Sequence, residues 1–127
     1  MLIFALALTT PTAFSDIHQR DIACVASLAI IADEQRRGVP GPENIPDVRE
    51  TGKRWAAIVG ERVMQETGQP RELVAFAMTE AAKSEQLRSA DISNSPAINN
   101  ARVTECLLLM QTDLLASDPL PKPVRTK

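Results

Sequence analysis

Apolar residues recur every three or four positions over most of the chain, a spacing that predicts four helices of similar length. In the first, Ile17, Asp21, Cys24, Leu28, Ile31 and Gln35 trace one side, while Ile22, Val25, Ala29 and Ala32 widen the apolar face. Asp16 and Gln19 are spaced as a capping box. Gly38 and the Val39-Pro40-Gly41-Pro42 stretch then end the helix, which is expected over about 16–37. Asp47 and Glu50 make a second capping box, and the helix it opens runs to Thr67, before Gly68. Gly52, Ala56 and Gly60 lie four apart in that helix, flanked by Trp55, Ile58, Val59 and Val63. Mid-helix glycines cost about 1 kcal/mol each against alanine, so their spacing predicts close approach of another helix.

Gly68 and Gln69 alone separate this helix from the next, which opens with Pro70 and Glu72 in its first turn. So short a connection makes the second and third helices antiparallel neighbours. The third carries Leu73, Val74, Phe76, Ala77, Ala81 and Leu87, with a polar second half around Lys83-Ser84-Glu85-Gln86 that is its least stable part. After a loop over 91–95, Ser95 caps a last helix from Pro96 to about Ser117, with Val103, Cys106, Leu107, Met110 and Leu114 facing inward. Residues 118–127 (DPLPKPVRTK) hold three prolines and no periodicity, and read as an extended tail. Matched helices predict an all-α fold, an antiparallel four-helix bundle over 16–117 in which the first and last helices are neighbours.

The first fifteen residues change where this bundle is expected to work. Met1 to Ser15 carries no charged side chain, and Leu2 to Leu8 is wholly apolar but far shorter than the roughly 20 residues that cross a bilayer. Pro11 breaks the run, and Ala13-Phe14-Ser15 places small residues where a signal peptidase reads, so 1–15 is expected to be a signal peptide cut before Asp16. No Lys or Arg precedes the run, which leaves the amino terminus, or a segment upstream of Met1, to supply the positive charge. An apolar first element of the folded domain is the competing reading, but Thr9-Thr10-Pro11-Thr12 would interrupt it. The expected place of action is the periplasm or the outside of the cell. There, Cys24 and Cys106, the only cysteines, are expected to form one disulfide between the first and last helices. It would close a loop of about 83 residues, worth roughly 4.5 kcal/mol by the chain-entropy relation. Two separately buried thiols are the alternative in a reducing compartment.

The 127 residues are 44% hydrophobic and 24% charged with a net charge of -2, which fits one domain and argues against wholesale disorder and against nucleic acid as a partner. Catalytic chemistry finds few candidates. His18 is the only imidazole, read as an exposed residue near a chain end, and no nucleophile elbow, glycine-rich phosphate loop, haem motif or di-metal Glu-x-x-His pair occurs. No cofactor and no metal are therefore expected. Glu50 with Arg54, Arg62 with Glu66, Glu80 with Lys83 and Glu85 with Arg88 are spaced as solvated surface pairs. Trp55 reads as core rather than as a binding anchor. The last helix has more apolar surface than one core needs, so Leu108, Leu109 and Leu115 are the candidate surface for a protein partner or a second copy of the chain.

Cys24 in a first helix ending Glu34-Gln35-Arg36-Arg37-Gly38, the segment Arg62 to Leu73 (RVMQETGQPREL) and Cys106-Leu107-Leu108-Leu109 are similar to small exported bacterial two-cysteine helical proteins without an assigned activity. The resemblance implies an exported location and a disulfide, and no functional residues. In size and disulfide count the chain is also similar to periplasmic acid-stress chaperones. The expected function is thus non-catalytic binding of a protein partner or an apolar ligand in the cell envelope. A stress-responsive holdase and an immunity or accessory protein are the alternatives.

Overall fold

The predicted helices all form, the first and last starting where expected and the middle two a residue or two later. A computed structural model describes residues 14–91 and 96–117, with side chains at 14–88 and 101–117. It contains α1 (Asp16–Arg36), α2 (Arg49–Thr67), α3 (Arg71–Asp91) and α4 (Pro96–Ser117), and no strand among the described residues. The apolar part of the expected leader, the Ser95 cap and the tail over 118–127 lie outside the described residues.

Ser15, rather than Asp16, caps α1. Its hydroxyl accepts the His18 N–H at 3.2 Å, and Asp16 falls in the first turn, where its charge suits the positive end of the helix. The α2 start is shifted the other way. Asp47 accepts the Arg49 N–H at 3.0 Å, and the cap position itself is Val48. The Val48 N–H is taken by the Gln35 side-chain oxygen at 2.9 Å, and the Gln35 amide donates to the Pro46 carbonyl at 2.9 Å. One α1 side chain thereby fixes the end of the proline-rich connection. Gly38 and Gly68 both have left-handed backbones, φ 74° and 71°, as their places after helix ends require.

The core draws on all four helices. Leu28, Val48, Trp55, Val59, Val63 and Cys106 are fully buried, and Ile22, Val25, Val74, Met110 and Leu114 complete the cluster. Each aliphatic side chain so buried contributes about 1.5–3 kcal/mol. Helices α1 and α2 each touch the other three. Cys24 and Cys106 are disulfide-bonded, with Cα atoms 5.2 Å apart, so the first and last helices are joined as expected. The pairings His18–Glu66 and Asp21–Arg62 lie at one end of the α1–α2 contact, and Gln35–Val48 lies at the other.

One expectation about the interior needs correction. Along α2, only Gly60 meets a neighbour, since a Cβ there would lie 3.6 Å from the Met78 terminal carbon of α3. A Cβ on Gly52 would meet nothing within 4 Å. The small-residue row is thus filled by α3 at one end and open at the other. On α3 itself, Val74 is buried, and Ala77, Met78 and Ala81 pack against the core, whereas Leu73, Phe76 and Leu87 are exposed.

Candidate functional site

Three places on the molecule stand out, two of them built from more than one helix and one a single helix face. The first is a network of charge beside the disulfide. Asp21, one turn before Cys24, is only 2% exposed and accepts from Arg20 at 2.9 Å and from Arg62 of α2 at 3.5 Å. Arg62 also reaches Asp113 of α4 at 2.9 Å, and the Trp55 indole donates to the same Asp113 oxygen at 2.8 Å. A buried carboxylate needs such partners, because desolvation of an unpaired charge costs several kcal/mol. Arg62 therefore bridges three helices instead of forming the expected surface pair with Glu66. Trp55 is core, as read from the sequence, with its one polar atom satisfied.

Glu66 turns to His18 instead, at 3.3 Å from the ring Nε2. His18 is not the exposed residue expected. It is 8% exposed, and its Nδ1 has no hydrogen-bond partner. Glu85 is likewise more than a surface charge. It accepts from Arg102 of α4 at 2.6 Å and from the Ser27 hydroxyl at 3.2 Å, with Arg88 at 3.7 Å. The Glu80–Lys83 pair forms as expected, at 3.2 Å. No group of three or more metal-ligating side chains occurs among the described residues. No described helix is long and apolar enough to cross a membrane.

The second place is the outer face of α4. Leu108 and Leu115 are 59% and 76% exposed, and the exposed Gln111 and Thr112 between them carry no charge. Leu109 differs from its expected neighbours on this face, since it is half-buried and packs against the core. Two of the three candidate leucines therefore share the free surface.

The third place is a cleft of about 740 Å³ between the second half of α1 and the first half of α2. Val25, Ala29, Ala32, Gly52 and Ala56 form its floor, while Asp33, Arg36, Asp47, Arg49, Glu50 and Lys53 stand around it. Asp33 is paired with Arg36 and with Arg37, whose guanidinium lies at 3.0 Å. The side-chain bond from Arg36 is the largest influence holding the Asp33 carboxyl below its ordinary pKa. Arg49 binds Asp47 at 2.8 Å through its side chain and again through its backbone N–H, lowering that carboxyl to about 2. Glu50 and Lys53 make no salt bridge among the described residues. No residue of the cleft was singled out as a site from the sequence. Its one legible trace was Gly52, a mid-helix glycine that packing does not explain. Comparison with known proteins finds no matching family model, no matching curated protein and no matching solved structure.

Proposed function

We propose that the chain is an exported, non-catalytic binding protein of the cell envelope, with its helices in an up-and-down antiparallel bundle and a protein partner on the outer face of α4. The observation that carries this reading is the pair Leu108 and Leu115. They lie two turns apart on one exposed face, with the uncharged Gln111 and Thr112 between them, on a helix whose other side is bonded to α1 through Cys106. A rigid helix presenting apolar anchors loses little conformational entropy on binding. The disulfide supports an oxidising compartment.

Export is proposed to remove residues 1–15. Cleavage before Asp16 would take away the Ser15 cap and Phe14, which packs against the core, and so weaken the start of α1 by about 1 kcal/mol. Cleavage two bonds earlier, before Phe14, keeps both, whereas cleavage before Ser15 keeps the cap alone. Intact mass of secreted protein, with and without reductant, reads the cleaved bond and the disulfide together. An uncut chain with two free thiols overturns the location.

The partner face is tested by Leu108→Glu/Leu115→Glu. Both positions are exposed, so the variant is expected to melt within about 1 kcal/mol of the parent. Cross-linking in intact cells, followed by mass spectrometry, is expected to trap one protein at residues of this face in the parent, at least tenfold less in the variant. Equal trapping by both removes α4 as the docking surface.

A further inference from the structure

We infer that the cleft between α1 and α2 is a binding site for a single-chain amphiphile with a zwitterionic head. The inference rests on the cleft and not on the α4 face, so either can fail without the other.

The floor sets the class of ligand. Ala29, Ala32, Gly52 and Ala56 are all small and apolar, and no aromatic side chain lines the cleft. Thr51 is the one uncharged polar side chain of the lining, so such a cleft accepts a slender aliphatic chain and offers no stacking partner for a ring. At 740 Å³ the cleft falls within the range of small-molecule sites, roughly 300–1,000 Å³.

The shape excludes a docked helix. The cleft continues the groove in which α3 lies, because Gly52, Ala56 and Gly60 form one row along α2 and Met78 of α3 fills it at Gly60. A helix laid into the open part would run into α3. From Val25 to Arg36 the groove is about 16 Å long at 1.5 Å per residue, close to the reach of an extended decyl chain. At Gly52 the floor is only backbone, so a chain can approach more closely than any side chain would permit.

The rim sets the head. Three carboxylates and three cations surround the opening, so neither an anion nor a cation is favoured by net charge. Asp33 is paired with Arg36, and Asp47 with Arg49. Glu50 and Lys53 are the two rim charges without a salt bridge, and they sit three apart in the first two turns of α2. A head carrying one negative and one positive group matches this pair, its anion toward Lys53 and its cation toward Glu50.

The probe is decylphosphocholine, held below its micelle threshold and titrated into the full oxidised chain by isothermal calorimetry and amide NMR. Saturable one-to-one binding is expected, with the largest shifts at Ala29, Ala32, Gly52 and Lys53. Gly52→Leu is the blocking variant. A Cβ there meets nothing, and leucine is the better helix former, so the variant is expected to fold and to bind at least tenfold more weakly. Lys53→Glu is expected to weaken binding about fivefold, and Leu108→Ser/Leu115→Ser to leave it unchanged. Absence of saturable binding overturns the site, as does full affinity in Gly52→Leu or loss of binding in the α4 variant. Tighter binding of decanoate or of decyltrimethylammonium overturns the head.

Discussion

Replacing both cysteines with alanine is expected to lower the stability of the chain by about 4 kcal/mol. The bond joins residues 82 apart in sequence, so without it the unfolded chain regains nearly the full freedom of a loop that spans α1 to α4. Few domains of this size exceed 5–15 kcal/mol in total, so the reduced form should sit close to unfolding. Both sulfurs are buried, at 5% and 0% exposure, which makes the bridge unreachable to a reductant unless the helices first part. Reductant alone should therefore act slowly on the native protein and quickly once denaturant is added. Denaturant melts of the oxidised parent and of Cys24→Ala/Cys106→Ala, read by far-ultraviolet dichroism, measure the difference. A loss below about 1 kcal/mol would show that α4 is held by its packing and that the bond is incidental.

How much of this was legible beforehand depended on the range of the contact. Helix extents follow from local periodicity and from Gly38, Gly68 and Pro96, each of which acts on its immediate neighbours, and they came out within two residues. The disulfide was legible too, because two cysteines allow only one intrachain pairing. The caps were misplaced by one residue because Ser15 and Asp16 are both good acceptors, and nothing local says which one leaves the helix. Polar contacts between helices were not legible. Arg62 and Glu66 are four apart, as surface pairs are, yet Arg62 faces Asp21 and Asp113 while Glu66 faces His18. Only the packing of α1 against α2 decides between those partners. Gly52 is the instructive case. The spacing of small residues correctly marks a place where something can approach closely, but at Gly60 that is α3, and at Gly52 it is open space.

Arg62→Met is expected to destabilise the protein by about 3 kcal/mol, more than its partly exposed position on α2 suggests. The side chain removed is one-third exposed, but the carboxylate it leaves behind, Asp21, is 2% exposed. Arg20 still reaches one Asp21 oxygen, at 2.9 Å, so the second oxygen is the one stranded in the interior. Asp113 loses its partner as well and keeps only the Trp55 indole. The cost thus comes from uncompensated charge, and it should vanish when the charge is removed. Asp21→Asn alone leaves Arg62 with Asp113 and is expected to cost about 1–2 kcal/mol as a hydrogen-bond loss. Combined with Arg62→Met, it should restore at least 1 kcal/mol relative to the sum of the single changes, the coupling expected of residues in one network. Arg62→Lys keeps the charge but not the planar fork that spans Asp21 and Asp113, so it should fall between the parent and the methionine variant. Urea melts of the parent and the four variants in the oxidised state give all these quantities, with the disulfide holding α4 in place while the network is dismantled. Additive losses would mean that the three helices are held by apolar packing alone and that Asp21 is tolerated in the core without Arg62.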